Sequence, residues 1–315
     1  MLSLLLPRAL IGVLTLLALC TSLLLHFLVF LPFAVCKLCM PWHAARVFWT
    51  RVMVAIAAQF IRNNALLMRA LMPVRWELRI DGTLDPARNY LLISNHQSWA
   101  DIVLLFDVFR DRVPWLRFFL KKQLIWVPVI GFVCWALDFP FMARHSREAI
   151  RRNPELAKED LERTRRACER FRDVPVTVVN FLEGTRFTPA KHMAKQSSYK
   201  HLLPPKSGGL AFAINAMGRE VAGLIDVTIA YRPTKHRLVW SFVTGEQATL
   251  IVEAQVHAIP EDILAGDYQG DSAFRGRFQR WVADFWLAKD ARLERLLAEH
   301  AACAAESQAG GSELR

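Results

Sequence analysis

An apolar stretch near the N-terminus constrains this chain more than any other feature. Residues 9–35 contain no Asp, Glu, Lys or Arg. At about 1.5 Å per residue, a helix of this length is roughly 40 Å long, enough to cross a hydrocarbon core of about 30 Å. The apolar core of a cleaved signal peptide runs for only about 7–15 residues. The stretch therefore predicts a retained membrane anchor ahead of a folded domain.

Basic residues are concentrated after this stretch. Arg8 is the only Lys or Arg before it, and no acidic residue occurs before Glu77. Because positively charged flanks stay in the cytoplasm, this asymmetry predicts that the rest of the chain lies on the cytoplasmic side. The basic residues between the stretch and Glu77 are Lys37, Arg46, Arg51, Arg62, Arg69 and Arg75.

A second stretch, residues 41–72, is apolar but carries a basic stripe. Arg51, Arg62 and Arg69 fall on one side of a helix that turns by about 100° per residue. With two tryptophans near its start, this pattern predicts a helix that lies in the membrane interface. The alternatives are the solvated side of a globular helix, or a shallow hairpin in which both helices enter the membrane.

The rest of the chain alternates short apolar runs with helical patterns. This alternation predicts an α/β fold with a mixed sheet flanked by helices. We therefore assign residues 1–72 to the anchor, 73–300 to one domain and 301–315 to a flexible tail. The predicted strands are 76–80, 90–94, 116–120, 137–142, 174–181, 223–231 and 238–244. The predicted helices are 100–109, 146–172, 209–217 and 274–300.

Charge and cysteine content limit the classes of molecule that this protein is expected to bind. The formal net charge is +11, which suits nucleic acid, an anionic membrane or an acidic substrate. The basic residues are interleaved with acidic ones and no recognition motif is present, which argues against nucleic acid. Six cysteines are scattered along the chain, and the pair Cys36 and Cys39 has no second ligand pair nearby. We therefore expect ordinary thiols, no metal site and no cofactor.

A histidine and an aspartate occur directly after a predicted strand. In the sequence NHQSWAD, His96 and Asp101 lie at the turn between the strand ending at Ser94 and the helix starting at Ala100. On a continuous helix their side chains would diverge by about 140°, so they meet only if His96 stays in the turn. Asp101 would then fix the imidazole tautomer, and the other ring nitrogen would take a proton from a substrate hydroxyl.

A second polar turn follows the predicted strand 174–181. Gly184 allows a tight turn, which would direct backbone N–H groups, the Thr185 hydroxyl and the Arg186 guanidinium at one anion. Glu183 would orient the acceptor or hold an arginine in place. The alternative is a simple strand-to-loop turn with a surface ion pair.

Other candidate positions accompany these two turns. Arg144 follows another predicted strand and is a second candidate phosphate contact. Residues 223–229 form an apolar strand that lines the site or belongs to the ordinary core. Asn95 and Ser98 lie beside the histidine, and Lys121 is either a phosphate contact or a surface lysine. The start of the helix after the histidine is a candidate for stabilising an oxyanion.

These blocks, in this order, resemble the glycerophospholipid acyltransferase family over about residues 70–235. That family carries an NHxxxxD block, a block that ends in Arg after an apolar strand, an EGTR block and a strand that usually contains Pro. The matching residues are Asn95, His96 and Asp101 in the first block, Arg144 in the second, Glu183, Gly184, Thr185 and Arg186 in the third, and residues 223–229 in the fourth.

The resemblance implies that His96 and Asp101 are catalytic and that the second and third blocks bind the acceptor phosphate. It also implies a lysophospholipid acceptor, and acyl-CoA or acyl carrier protein as the donor. We expect a bacterial cytoplasmic (inner) membrane as the location. Three departures bear on the acceptor: Leu182 replaces the usual Pro, Ala143 replaces an Asp of many members, and Asp226 interrupts the fourth block.

The expected reaction transfers a fatty acyl group from a thioester to a lysophospholipid hydroxyl, most simply that of 1-acyl-sn-glycerol-3-phosphate. The lysine-rich segment 191–206 is more similar to the branch that includes lysophosphatidylinositol and lysocardiolipin acyltransferases, so a remodelling enzyme is an alternative. Two further alternatives are a non-catalytic membrane adaptor and a lipid hydrolase that uses the same histidine. The sequence contains no GxSxG nucleophile motif, and an adaptor does not explain the ordered blocks.

Overall fold

Two long helices precede the rest of the fold in this computed structural model, which describes residues 7–40, 42–71, 75–142, 152–153, 155, 162, 174–232, 238–246 and 249–312. They are α1 (Arg8–Cys39) and α2 (His43–Leu71). They pack as a hairpin, in which the rings of Phe33 and Trp49 lie 5.9 Å apart. By length and composition, both helices could cross a membrane.

The domain that follows alternates strands and helices. In chain order it contains β1 (Arg75–Asp81), β2 (Asn89–Ser94), α3 (Ala100–Phe109), β3 (Leu116–Phe118), β4 (Leu120–Lys121), a 3-10 helix (Lys122–Trp126), α4 (Ile130–Ala136), β5 (Phe141–Met142), β6 (Thr177–Phe181), α5 (Pro189–Ala194), α6 (Gly208–Met217), a 3-10 helix (Gly218–Glu220), β7 (Val221–Tyr231), α7 (Leu238–Val243), β8 (Thr249–His257), α8 (Glu261–Ala265) and α9 (Ser272–Ser312).

Six of the described strands form one mixed sheet in the order β1-β8-β7-β2-β6-β3, and β4 pairs with β5. Only the β7–β8 pair of the large sheet is antiparallel. The predicted mixed α/β sheet is therefore confirmed. Because β7, β2 and β6 run parallel and side by side, their carboxyl ends meet at one edge of the sheet.

Alternating side chains divide the core between the two faces of this sheet. Tyr90 and Leu92 of β2 join the core formed with α1–α4, on what we call the anchor face. Leu91 and Ile93 point the other way and join the core formed with α6, α8 and α9, on the opposite face. Burial on both faces explains why the central strands are almost continuously apolar.

Two sequence-based predictions of strands are wrong. Residues 238–244 were expected to be a strand, but α7 is a helix that packs against α1 and α3. So short an apolar run does not distinguish strand from helix by its period, and β1 already occupies that edge of the sheet. Residues 137–142 form a strand only at the two residues of β5.

Two further differences and one untested prediction concern the rest of the chain. Strand β8 was not predicted, although it lies inside the sheet between β1 and β7. The expected flexible tail from residue 301 is helical through Ser312, because α9 continues to that point. The predicted helix 146–172 lies outside the described residues, apart from four isolated positions.

The arginine stripe of α2 faces the sheet domain over half of the helix. Arg62 Nη2 lies 3.1 Å from Asp111 Oδ1, and Arg69 Nη2 lies 3.3 Å from Asp107 Oδ2 at the end of α3. Both arginine side chains are about half exposed. These two arginines therefore connect α2 to α3, and the interfacial placement of α2 stays a prediction.

Asp226, one of the departures in the fourth block, is fully buried on the opposite face. Its two oxygens lie 2.5 Å from Lys289 Nζ and 2.9 Å from Arg292 Nη1, both on α9. Arg292 Nε also pairs with Glu253 of β8 at 3.2 Å. Asp226 is thus part of an ion cluster that binds α9 to the sheet, on the face away from α1–α4.

We expect Asp226→Asn to lower the free energy of unfolding by about 3–5 kcal/mol, because it leaves two buried cations with one compensating carboxylate fewer. Denaturant unfolding of the purified protein measures this loss. Asp111→Asn is the matched control, since its carboxylate is two-thirds exposed and pairs with Arg62 at the surface. Equal stability of the two variants would contradict the structural role of the cluster.

Candidate active site

The polar residues of the NHxxxxD and EGTR blocks meet at the carboxyl ends of the parallel strands. Ser94 ends β2 and is in register with Phe181, which ends β6. His96 follows the first strand and Glu183 follows the second, so the register of the sheet brings the two turns together. Open sheets of this kind bind ligands at this edge.

His96 and Asp101 form the hydrogen bond that the sequence predicted. His96 Nδ1 lies 2.8 Å from Asp101 Oδ2. Asp101 sits in the first turn of α3, and His96 stays in the turn before the helix. Because an ionised carboxylate only accepts hydrogen bonds, Nδ1 carries the proton and Nε2 keeps its lone pair. The His96 side chain is 14% exposed, so a substrate hydroxyl can reach it.

The Asp101 carboxylate is fully buried and accepts four hydrogen bonds. Oδ2 accepts from the backbone N–H of Gln97 at 2.7 Å and of Ser98 at 2.9 Å, in addition to His96. Oδ1 accepts from the Tyr231 hydroxyl at the end of β7. Burial and the Asp101 charge raise the pKa of Tyr231 well above its ordinary value, so this hydroxyl stays a donor.

The backbone of His96 is held by the EGTR turn. Its N–H donates to Glu183 Oε1 at 2.8 Å, and its carbonyl accepts from Phe187 N–H at 2.7 Å. The imidazole ring also stacks on Phe181, with ring centroids 4.0 Å apart. The third block therefore fixes the position of the first-block histidine.

Asn95 and Ser98 have structural partners. The Asn95 side chain exchanges two hydrogen bonds of 2.9 Å with the backbone of Ile229, which extends the pairing of β2 with β7 beyond the end of β2. Ser98 Oγ accepts from the N–H of Ala100. The N–H groups of Gln97, Ser98 and Ala100 are thus engaged, and the role of the start of α3 as an oxyanion site stays a prediction.

Glu183 is hydrogen-bonded to two backbone N–H groups, and its predicted role at the acceptor phosphate stays a prediction. The side chain is fully buried, and its oxygens accept from the N–H groups of His96 and Leu203, the latter at 3.1 Å. Burial raises its pKa from 4.5 to about 7, although both backbone hydrogen bonds act in the opposite direction. A buried acidic group with both oxygens occupied therefore holds two loops together.

Cations surround the rest of the EGTR turn. Gly184 has a φ of 65°, and a Cβ there would lie 3.1 Å from Lys206 Nζ, so the lysine passes directly over the glycine. Lys191 Nζ donates to Thr185 Oγ1 and to the Arg186 carbonyl, both at 2.9 Å. The exposed Arg186 guanidinium lies 4.9 Å from the centre of the Trp99 ring. Four basic or hydroxyl side chains thus converge where an anion was expected.

Of four other positions that the sequence singled out, the structure describes Lys121 and Leu182, whereas Arg144 and Ala143 of the second block lie outside the described residues. Lys121 is exposed at the end of β4. Leu182, which replaces the usual Pro, is fully buried in the core of the opposite face, and its carbonyl accepts from Lys206 N–H at 2.7 Å.

An apolar cavity of about 240 Å³ lies on the anchor face of the sheet. Its wall residue Phe118 stacks on Phe181 at 5.7 Å, and Phe181 in turn stacks on His96. Helices α1–α4 supply much of the rest of the wall, together with residues of the loops and short strands around them, so the packing of the N-terminal helices on the domain helps to enclose this space. Its lining includes Phe27, Phe60, Trp99, Ile102, Leu124, Ile130, Val133, Cys134, Leu137 and Phe139.

Sequence reasoning missed several of these residues. Tyr231 and Leu203 are distant in sequence from the residues they contact, and nothing in their spacing marks them. Lys191 and Lys206 were noted as part of a basic segment, but without a place in the site. Within the described ranges, no three His, Cys, Asp or Glu side chains are placed to hold a metal ion.

The fold and the histidine–aspartate pair are those of an acyltransferase domain. The sequence model of the family described as Acyltransferase matches residues 76–232. The chain is 28% identical over 222 residues to 1-acyl-sn-glycerol-3-phosphate acyltransferase 3 of Arabidopsis thaliana, covering 65% of this chain and 53% of that protein. It is 24% identical over 250 residues to 2-acyl-1-lysophosphatidylinositol acyltransferase of Saccharomyces cerevisiae, covering 66% and 61% respectively.

A solved crystal structure has a similar fold. The crystal structure of the 1-acyl-sn-glycerophosphate acyltransferase of Thermotoga maritima superposes with a TM-score of 0.51 at 17% identity, covering 91% of this chain and 98% of that one. The chain belongs to the glycerophospholipid acyltransferase family. It spans about half to three fifths of the length of the curated relatives named above.

We expect Glu183 to make the protein less stable as pH rises from about 4.5 to about 7. The folded protein holds this proton more tightly than the unfolded chain, so its contribution is complete below 4.5 and is lost as pH passes 7. Each unit of pKa difference is worth about 1.4 kcal/mol. Denaturant unfolding across this pH range measures the slope, which Glu183→Gln should remove.

The control for this experiment is Glu261→Gln, which neutralises a carboxyl that is mostly exposed. That variant should keep the wild-type slope. If the curves of wild type and Glu183→Gln run parallel between pH 4.5 and 7, the raised pKa of Glu183 is refuted.

Proposed function

We propose that this protein is a lysophospholipid acyltransferase that acylates 1-acyl-sn-glycerol-3-phosphate to phosphatidic acid. The observation that carries the proposal is the position of His96. Its backbone is bonded to the EGTR turn, whose cations suit a phosphate. Its ring stacks on Phe181, which in turn contacts Phe118 in the wall of an apolar cavity that suits a fatty acyl chain. These contacts support the proposal that the two substrates meet at His96.

The proposed reaction needs one proton relay and no protein nucleophile. His96 Nε2 removes the proton from the acceptor hydroxyl while the hydroxyl oxygen attacks the thioester carbonyl carbon. The tetrahedral intermediate then collapses, the carbon–sulfur bond breaks, and the imidazolium returns the proton to the leaving thiolate. Asp101 stabilises the imidazolium that forms between these steps. General-base assistance of this kind contributes about 10²–10⁴-fold.

The acyl chain of the donor is assigned to the cavity on the anchor face. Burial of apolar area is worth about 25 cal/mol per Å², so a long chain in this space binds strongly. The chain of aromatic contacts from Phe118 through Phe181 to His96 leads from the cavity wall to the base. A thioester carbonyl at the mouth of the cavity would therefore lie next to Nε2.

The acceptor phosphate is assigned to the cationic turn of Gly184, Thr185 and Arg186. Arg186 offers a planar set of donors for two phosphate oxygens. Lys191 and Lys206 add positive charge beside the same turn. Arg144 of the second block stays a proposed phosphate contact on the strength of the family resemblance alone.

The donor thioester is carried by coenzyme A or acyl carrier protein, and no cofactor is required. We place the enzyme at a bacterial cytoplasmic membrane, with α1 and α2 as its anchor and the sheet domain on the cytoplasmic side. A remodelling enzyme that prefers lysophosphatidylinositol or a similar lysolipid is the second candidate, because one relative bears that name.

The experiment that tests this function is acyl transfer by the purified protein from labelled acyl-CoA to a panel of acceptors. The panel holds lysophosphatidic acid, lysophosphatidylinositol, lysophosphatidylcholine and monoacylglycerol, which lacks the phosphate. We expect the highest kcat/KM with lysophosphatidic acid and little transfer to monoacylglycerol. His96→Ala should lower kcat by at least 10²-fold, because it removes the base.

The controls separate the mechanism from the choice of acceptor. His192→Ala removes a histidine whose ring instead contacts the Tyr199 carbonyl, and it should keep near-wild-type turnover. Full turnover by His96→Ala would refute the mechanism, and preference for another lysolipid would select the remodelling enzyme. Release of free fatty acid without acceptor would select the hydrolase. No transfer from either acyl-CoA or acyl carrier protein would refute the function.

We expect Val133→Phe to shift the preference toward shorter acyl chains, because Val133 lines the cavity and the added ring takes up part of it. Each methylene that no longer fits costs about 0.8 kcal/mol, or about fourfold in relative kcat/KM. Assays with saturated acyl donors of graded length measure this shift. Val239→Phe, at an exposed position of α7, is the matched control. An unchanged length profile in Val133→Phe would remove the cavity from the acyl path.

A further inference from the structure

A small lobe of the sheet domain exposes a concentrated group of large apolar side chains. The lobe consists of residues 122–136, which contain the 3-10 helix, a turn and α4. Trp126 is 84% exposed, which is a costly position for a large aromatic ring in water. The apolar side chains that share this surface are Ile125, Trp126, Val127, Ile130 and Trp135.

The backbone of the lobe is built to hold this surface in place. Gly131 packs so tightly that a Cβ there would lie 2.3 Å from the carbonyl oxygen of Ile125. Val129 has a φ of 63°, a conformation that a β-branched residue rarely adopts, and Ile130 N–H bonds to the Pro128 carbonyl at 2.7 Å. A strained turn and an obligatory glycine therefore fix the exposed side chains.

The lobe is attached to the second half of α1. The rings of Phe27 and Phe132 lie 5.9 Å apart in an edge-to-face contact. Ten residues further along α1, Lys37 Nζ donates to the Ala136 carbonyl at 2.7 Å and pairs with Asp138 at 2.6 Å. The part of α1 between these contacts is itself apolar and exposed, at Leu28, Leu31 and Val35, and Leu38 follows just beyond them. The lobe therefore lies beside an exposed apolar part of α1.

Positive charge at the base of the lobe indicates that this apolar surface contacts an anionic membrane. Lys121 and Lys122 are exposed directly before the exposed apolar residues. Tryptophans backed by lysines are typical of segments that sit at the boundary of a bilayer, with the indole at headgroup level and the ammonium groups on lipid phosphates. The chain as a whole carries a net charge of +11, which favours an anionic surface.

We infer that the lobe is a second membrane contact, which inserts Trp126 and its neighbours into the interface of an anionic bilayer. This contact belongs to the sheet domain and is distinct from the anchor helices. It extends the proposed membrane location and does not depend on which acceptor the enzyme uses. Two separate contacts would fix the tilt of the domain, with the anchor face toward the lipid.

Residue-specific depth measurement tests the inference without turnover. The six cysteines are replaced, and Trp126→Cys is labelled with an environment-sensitive fluorophore in the full chain. The protein is reconstituted into vesicles of phosphatidylcholine and phosphatidylglycerol. We expect emission at short wavelength, strong quenching by nitroxide-labelled lipids and weak quenching by aqueous iodide.

Leu287→Cys on α9 is the matched control. Leu287 is apolar and 65% exposed, but it belongs to the opposite face of the sheet. The fluorophore at residue 287 should show the emission of an aqueous environment. If the label at residue 126 is as accessible to iodide as the label at residue 287, the inference is wrong. It is equally wrong if the signal at residue 126 depends on protein density rather than on lipid, which would make a second copy of the chain the occupant.

A functional readout separates this inference from the proposed activity. Trp126→Ser should fold normally and lower kcat/KM roughly tenfold for an acceptor presented in anionic vesicles. It should leave kcat/KM unchanged for a water-soluble, short-chain acceptor, as Leu287→Ser should for both. An equal loss with both acceptors would overturn the inference. If wild type transfers to no acceptor, the proposed activity fails, while the depth measurement still decides the lobe.

Discussion

The buried carboxylate of Asp101 is the interaction on which the site depends. It accepts from the imidazole of His96, from two N–H groups of the preceding turn and from the hydroxyl of Tyr231. One side chain thus shapes the turn after β2, orients the start of α3 and holds the end of β7. An unpaired charge in this place would be costly, so four donors are needed to keep it. Its burial gives the histidine a fixed tautomer.

The two faces of the sheet carry different structural features. The anchor face carries the apolar cavity and the N-terminal helices, whereas the opposite face is sealed by α9. Asp226 belongs to that sealed side, where Lys289 and Arg292 hold it. These ion pairs give Asp226 of the fourth block a structural role. His96 is bonded to the EGTR turn through its backbone, and its ring contacts Phe181, whose neighbour Phe118 belongs to the apolar wall of the cavity.

Sequence reasoning succeeded where the contacts are local and failed where they are distant. The bond between His96 and Asp101 was predictable because turn and helix geometry decide it within six residues. The placement of Glu183 was not, because its partners are brought to it by the sheet register and by the loop at Leu203. The strand prediction for α7 was wrong for another reason, since a run of six mostly apolar residues has no readable period. The mixed sheet and the two long helices followed from patterns many residues long, which are the most reliable ones.

The order of the strands carries a consequence for synthesis. β1 directly follows the anchor helices along the chain, yet its only neighbour among the described strands is β8, with Arg75 opposite Thr249. During synthesis, the backbone groups of β1 therefore stay unpaired until β8 has left the ribosome. Until then it remains an unpaired edge, tethered beside the α1–α2 hairpin. Because unpaired edges attract other chains, the interval before residue 257 emerges is when a nascent chain is most exposed to misassembly.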